Sequence, residues 1–348
     1  MPSTMKEAII LKGPDVKIVD SPIPKAGKDQ IVVKVVVSGS NPKDWKVPYM
    51  NIEVNQGDDP AGYVHEVGEG VTGFKKGDRV SGFHEMLKPG GSYAEYAVLW
   101  EHTTFHIPDS ISFEEAATVP LAAVTAAVGL YRELKLPEPW LPNEDSVKMP
   151  LLIWGASSAV GAFTLQLAKK SNIHPLITIA GKGQDFVKQY LDPSKGDVVI
   201  DYRQGNDAVV KAVREALKGE KLYYAYDAVS DHGSYETIFK VLENQGGKIT
   251  VVLPGKKYEG VPNGVELLVT SCGKVFGEQK DKDFGFVYSK YFAKGLKEGW
   301  LKPHPTEVIP GGLGGVKQGL QNLKDGKASA VKYVFRIEDT EGVQKSNL

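Results

Sequence analysis

Residues 151–161 read LLIWGASSAVG: a run of large apolar residues, a turn of small ones, and the first turn of a segment that continues FTLQLAKK with apolar residues at helical spacing. A strand apolar on both faces that turns straight into a helix is the opening unit of a parallel sheet covered on both sides. Working outward, a helical stretch runs to about Lys170. LITIA follows at 176–180, then a second helical stretch and VVID at 198–201. A helix from about Asp207 to Leu217, YYAYDAV at 223–229, another helix and KITVVL at 248–253 complete the series. Strict alternation of strand and helix predicts a doubly wound α/β domain, with expected bounds 123–294.

Before it, from residue 5 to about 105, short runs rich in Val and Ile alternate with Gly, Pro and Asp pairs, as in IVVKVVV at 31–37 and YAEYAV at 93–98. That is the pattern of strands and turns. The Ala-rich segment Glu115–Leu134 is long enough for helix, with a break expected at Pro120. After the α/β region come ELLVTSCGKVFG, a helix expected over Val287–Glu298, and VKYVFRI at 331–337. The last run reads as a strand returning to the first domain, which is expected over 1–122 and 295–348. At 348 residues two cores are the default.

Composition narrows the function. With 42 basic against 43 acidic residues, interspersed, the net charge of −1 creates no field for polyanions, so nucleic acid is not expected as a partner. The N-terminus MPSTMKEAII lacks a leader pattern, and no stretch of about 18 apolar residues is apparent, so neither membrane insertion nor export is expected. The single cysteine, Cys272, excludes an internal disulfide and any metal site built on two thiolates. A cytoplasmic location is the default.

Small residues in GASSAVG let backbone N–H groups and a helix N-terminus approach a pyrophosphate. Against the dinucleotide pattern GxGxxG the chain offers Ala156, Ser158 and Gly161, so only the last glycine is kept. The turn alone fits any α/β protein; the strand–helix order favours a dinucleotide. NAD-binding domains place Asp or Glu at the end of the second strand to hold the ribose 2′-hydroxyl. Here Ala180 and Gly181 are followed by Lys182, a cation suited to the 2′-phosphate of NADP. The competing arrangement has Lys182 solvated and Asp185 on the ribose. Tyr202, after the third strand, either closes over the same phosphate or caps the sheet.

Four further segments carry a resemblance: SGSNPKDWK at 38–46, DDPAGYVHEVGEGVTGFKKGDRV at 58–80, GGSYAEYAV at 90–98, and ATVPLAAVTAAVGLY together with GASSAVG. On these the chain resembles the zinc-independent medium-chain dehydrogenase/reductase superfamily, in its quinone-oxidoreductase-like branch and especially the fungal enoyl-reductase-like members. The resemblance covers nearly the whole length. It implies a GroES-like, partly open β-barrel catalytic domain, completed by the C-terminal tail, beside a Rossmann domain that binds NADP(H). Alcohol-dehydrogenase members hold zinc through a Cys near the NPKDWK position and a His near DDPAG. Here those places are Asn41–Pro42 and Asp58–Ala61, with neither thiolate nor imidazole, so no metal is expected. His65, His102 and His106 are expected to be surface or structural residues.

The resemblance further implies hydride delivery from NADPH to a small electrophilic substrate: an activated alkene, a quinone or an aldehyde. An alternative is a trans-acting enoyl reductase serving a polyketide synthase; another is a non-enzymatic NADPH-binding protein. Lys43, Asp44, Trp45 and Lys46 would lie along NADPH, and Thr125 near the nicotinamide carboxamide. Ser157, Ser158, Ala159, Val160, Leu253, Val331 and Lys332 match further cofactor contacts. Lys46 is the first candidate to stabilise an enolate, Asn41 to hydrogen-bond a carbonyl and Tyr49 to donate a proton. Each has a plain structural alternative, as a solvated lysine, a turn residue and a packed loop aromatic. Loops 46–57, 84–91 and 254–287 are expected to shape the pocket, and ELLVTSC either to offer an edge strand for a homodimer or to be covered within a monomer.

Overall fold

The computed structural model describes residues 3–343. The chain divides into two compact units, Met1–Val124 with Gly273–Leu348, and Thr125–Cys272.

The first unit opens with a hairpin, β1 (Thr4–Leu11) against β2 (Asp15–Pro22). β3 (Gln30–Gly39) is the long central strand, and the short helix α1 (Lys43–Lys46) follows it. Next come β4 (Asp59–Val67), β5 (Arg79–Gly82), β6 (Tyr96–Trp100) and β7 (Thr104–His106). β3 pairs antiparallel with β4 through two register shifts, at Val32/Val33 and Val35/Val37. Such bulges bend a strand and tighten its twist. At the second one Gly62 is required, because a Cβ there would lie 2.0 Å from the Lys34 carbonyl oxygen.

The Ala-rich segment breaks where its proline stands. α2 (Phe113–Ala116) is started by a capping box, Ser112 with Glu115, and Pro120 opens α3 (Pro120–Ala127). A widened, π-type turn continues over Val128–Glu133. By length and composition Phe113–Glu133 would suffice to cross a membrane, contrary to the expectation that no such stretch exists; 83% of its most apolar window is buried, the environment of a core helix.

The second unit alternates strand and helix as far as its fifth strand, and the sixth then follows without an intervening helix. β8 (Leu151–Trp154), α4 (Ala159–Lys170), β9 (Leu176–Ala180), α5 (Gln184–Lys188), β10 (Val198–Asp201), α6 (Asn206–Leu217), β11 (Tyr224–Asp227), α7 (Ser234–Phe239), β12 (Lys248–Val251) and β13 (Glu266–Val269) follow in turn. All pairings are parallel and the order is β10-β9-β8-β11-β12-β13. In chain order this is third, second, first, fourth, fifth, sixth, the arrangement of a dinucleotide-binding sheet. α6 buries Val209, Val210, Val213 and Leu217, and of these Val209, Val213 and Leu217 pack with Leu152, Ile177, Ile179 and Ile249 of the strands. Each such side chain contributes roughly 1.5–3 kcal/mol on burial. β13, the start of ELLVTSC, stands at the sheet edge.

The tail corrects two expectations. α8 spans Gln279–Glu298 and so begins eight residues before the expected Val287; a capping box between Glu278 and Asp281 starts it, and the charged turn QKDKD hides the apolar period there. Residues 273–294, expected in the second domain, belong to the first unit. His102 bonds the Val275 carbonyl at 3.1 Å, and the rings of Phe83 and His102 lie 5.2 and 5.7 Å from Phe276. β14 (Thr306–Val308), α9 (Val316–Lys324) and β15 (Lys332–Arg336) then complete a seven-stranded sheet ordered β14-β15-β3-β4-β5-β7, with β6 also on β3. Sheet and tail enclose a core that includes Tyr93, Leu313, Leu320 and Phe335.

Candidate functional site

In the second unit the sheet order reverses at β8, between β9 and β11, and the strand ends there define the crevice position of a doubly wound sheet. The β8–α4 turn is built for close approach. Gly155 adopts φ +75°, and a Cβ on Gly161 would sit 2.2 Å from the Gly155 carbonyl oxygen, so helix and turn are in direct backbone contact. Ser158 caps α4, its hydroxyl accepting from Gly161 N–H at 3.1 Å; Ser157 precedes the cap, and Ala159 and Val160 begin the first turn. The N–H groups of a helix's first turn lack intrahelical partners and point outward with partial positive charge. Gly155 was missed in the sequence comparison; the signal was its place directly after an all-apolar strand.

At the ends of β9 and β10 the register pairs Ala180 with Asp201. The Tyr202 ring packs on Gly181, where a Cβ would lie 2.8 Å from it. Lys182 is exposed and makes no ion pair or hydrogen bond among the described residues. Its acidic neighbours are occupied. Asp185 pairs with Lys188 at 2.8 Å, and Asp201 is gripped by Arg203 at 2.6 Å, which holds the Asp201 carboxyl down at about 2. Gln184 ties the two strand ends, donating to the Gly181 carbonyl at 3.2 Å and to Asp201 at 3.0 Å.

β11 ends in Asp227, fully buried, whose carboxylate accepts from Val229 N–H, Ser230 N–H and, at 2.5 Å, the Ser234 hydroxyl. Burial pushes its carboxyl up to about 6 against these bonds. The Ser230 hydroxyl accepts from Val252 N–H, and Tyr258 donates to the Leu253 carbonyl at 2.9 Å, so the ends of β11 and β12 are joined. Thr125 is buried in α3, its carbonyl accepting from Tyr226 Oη at 2.8 Å.

The first unit holds a buried polar network. Asn41 Nδ2 donates to Asp59 at 2.7 Å; Lys332 Nζ donates to the same Asp59 oxygen at 2.5 Å and to Asn41 Oδ1 at 3.2 Å. Asp59's other oxygen accepts from Leu121 N–H. Lys43 Nζ bridges Asp58, Asp44 at 2.9 Å and the Gln56 carbonyl at 2.7 Å. Burial works against the Lys43 ammonium, and Asp44 and Asp58 outweigh it, holding it charged above the usual lysine range. Burial likewise pushes the Asp44 carboxyl up to about 6, while Lys43 opposes the shift.

Thus Asn41, Lys43, Asp44 and Lys332 come together, joined by Asp58, Asp59, His84 and Tyr93, which sequence reasoning did not single out. Lys332 is 4% exposed and its ammonium is spent inside the unit; Val331 packs beside the core. Lys46 lies 5.5 Å over the Trp45 ring. Tyr49 is set apart: its exposed hydroxyl donates to the Gly13 carbonyl at 3.3 Å and accepts from Lys324 at 3.0 Å. Gln56 is 1% exposed, and its side-chain amide has no hydrogen-bond partner at either end among the described residues. Among the described residues no group of three or more His, Cys, Asp or Glu is arranged to hold a metal ion.

Comparison with known proteins agrees with this architecture. Residues 27–109 match the alcohol dehydrogenase GroES-like domain. A trans-enoyl reductase of Gibberella fujikuroi is 55% identical over 312 residues, covering 89% of this chain and 92% of the relative. A second, from Alternaria alternata, is 30% identical over 351 residues, covering 96% and 99%. Among solved structures, an alcohol dehydrogenase superfamily protein from Novosphingobium aromaticivorans superposes with a TM-score of 0.79 at 18% identity, over 96% of this chain and 100% of the other.

Proposed function

Since the chain belongs to the trans-enoyl reductase branch of the medium-chain dehydrogenase/reductase superfamily, we propose that it reduces a carbon–carbon double bond conjugated to a carbonyl, using NADPH and no zinc. Of the acceptors open from sequence, an enoyl group is favoured over a quinone or aldehyde by what both relatives are named for. The reading also takes the substrate chain to be carried by a separate synthase.

The observation that carries the cofactor assignment is Lys182 after β9, unpaired among the described residues, with the neighbouring acids neutralised by Lys188 and Arg203. The residues fit the cofactor: Gly155 and Gly161 leave backbone where a side chain would block it, and the start of α4 offers amides to a pyrophosphate. NADPH, when bound, supplies the hydride. Ser158 holds the first turn of α4 in place, Lys182 and Tyr202 take the 2′-phosphate, and Thr125, fixed through its carbonyl by Tyr226, faces the carboxamide.

Hydride adds to the β-carbon of the enoyl group, the carbonyl oxygen takes up the charge, and a proton then returns to the α-carbon. Lys46 is the cation assigned to the developing charge. Tyr49 ranks below it as proton donor, because its hydroxyl is committed to the Gly13 carbonyl. A zinc-free site is supported by the occupants of Asn41, Asp58 and Asp59, which hold the ammonium groups of Lys332 and Lys43. The test is oxidation of NADPH, with NADH in parallel, against enoyl thioesters, enones, quinones and aldehydes. Turnover confined to quinones or aldehydes would overturn the enoyl assignment, and equal use of NADH the cofactor assignment.

A further inference from the structure

The segment 41–46 cannot hold its own shape. α1 is a single turn of four residues whose N-cap, Pro42, has no capping side chain, and isolated helices so short are unstable in water. Yet it carries Trp45 and Lys46. Its support comes from three oxygens that converge on the Lys43 ammonium: the Asp58 carboxylate, the Gln56 carbonyl at 2.7 Å and the Asp44 carboxylate at 2.9 Å. Each carboxylate is anchored from another part of the chain. Asp58's second oxygen meets His84 Nδ1 at 2.8 Å, and His84 Nε2 meets the Pro89 carbonyl at 3.3 Å. Asp44's second oxygen accepts from Tyr93 Oη at 2.6 Å and Asn41 N–H at 2.7 Å.

We infer that Lys43 is a positioning residue: its ammonium is the internal cation of a three-oxygen cage that joins α1 to the start of β4, and so fixes Lys46. With the Gln56 carbonyl accepting a hydrogen bond and two carboxylate oxygens in ion-pair contact, the ammonium is engaged within the unit, a role different from lying along NADPH. Lys332 cannot take over, since Asp59 at 2.5 Å and Asn41 at 3.2 Å already hold it. Both carboxylate side chains are at most 1% exposed, so without the ammonium two buried charges face one another uncompensated. The Lys43 side chain is 20% exposed, so a small amine from solvent can reach the cage.

The inference rests on the proposed reductase activity for its kinetic arm only. Lys43→Ala is expected to lower Tm by roughly 10 °C and kcat by about 100-fold through displacement of Lys46, with a small change in KM for NADPH. Added propylammonium should refill the cage and raise both Tm and kcat, while leaving the unmodified protein unchanged. Lys43→Met, which fills the space, should not respond. If the single variants do not fold, Lys43→Met with Asp58→Asn removes both charges and should recover Tm relative to Lys43→Met alone. A Lys43→Ala protein with unchanged Tm and a raised NADPH KM would make Lys43 a direct cofactor contact and overturn the inference. So would an amine without effect on folded Lys43→Ala, or a double variant no more stable than the single. The Tm measurements need no substrate, so absence of turnover in the unmodified protein would count against the proposed function and leave the cage to be decided separately.

Discussion

Replacing Lys182 by alanine should cost NADPH and spare NADH. At the ends of β9 and β10 the charges pair off: Asp185 with Lys188, Asp201 with Arg203, leaving Lys182 as the uncompensated cation. Its removal takes the local charge from plus one to zero where a 2′-phosphate would carry nearly two negative charges. A hydrogen bond between charged groups is worth about 1.5–3 kcal/mol. Lys182 is exposed and water screens it, so the lower end applies, and NADPH should bind about tenfold more weakly. Titration of each cofactor by quenching of protein fluorescence reads both constants directly. Raising the salt should narrow the NADPH difference between the two proteins, because an exposed pair is screened over about 10 Å at 0.1 M. Equal weakening of NADPH and NADH would refute the reasoning and place Lys182 in a structural role.

Gly161→Ala puts a methyl 2.2 Å from the Gly155 carbonyl oxygen; both cofactors should lose affinity together, by at least about tenfold, with a lowered Tm as the independent check. Gln56→Leu removes a buried amide that has no hydrogen-bond partner among the described residues. If the amide serves only the fold, Tm should rise by a few degrees; a raised KM for the enoyl substrate alongside that gain would assign Gln56 to the substrate carbonyl. Asp227 titrates in the folded protein at about 6 against an ordinary 3.8. Since the raised value means the folded state holds the proton longer than the unfolded one, this group's contribution makes stability fall as pH rises from about 4 to 6. Asp227→Asn should flatten that slope in urea denaturation followed across the window, and an unchanged slope would exclude Asp227 as its source.

Much of the second unit was legible in the sequence because its strands are buried on both faces: LLIW and LITIA need no partner to be recognised, and their alternation with amphipathic stretches such as Asn206–Leu217 dictates a parallel sheet. The start of α8 was not legible, since its first turns are held by a capping box and by charged residues with little apolar period. For the same reason the return to the first unit was placed late. The polar network around Lys43 was hidden for a different cause. Lys43 and His84 lie 41 positions apart, and only the pairing of β3 with β4 and of β4 with β5 brings the loops of Asp44, Asp58 and His84 together. Sequence spacing marks residues of one element; it cannot mark charges that meet across three loops. Lys332 shows the limit of resemblance: it was placed among the cofactor contacts, and its ammonium is turned to Asp59.

The most direct test of the account is the product formed from an α,β-unsaturated thioester with NADPH deuterated at the transferring position, followed by mass spectrometry and NMR. The account predicts a saturated thioester with deuterium on the β-carbon and the carbonyl intact. Deuterium on the former carbonyl carbon, as in an allylic alcohol or an aldehyde, would contradict it.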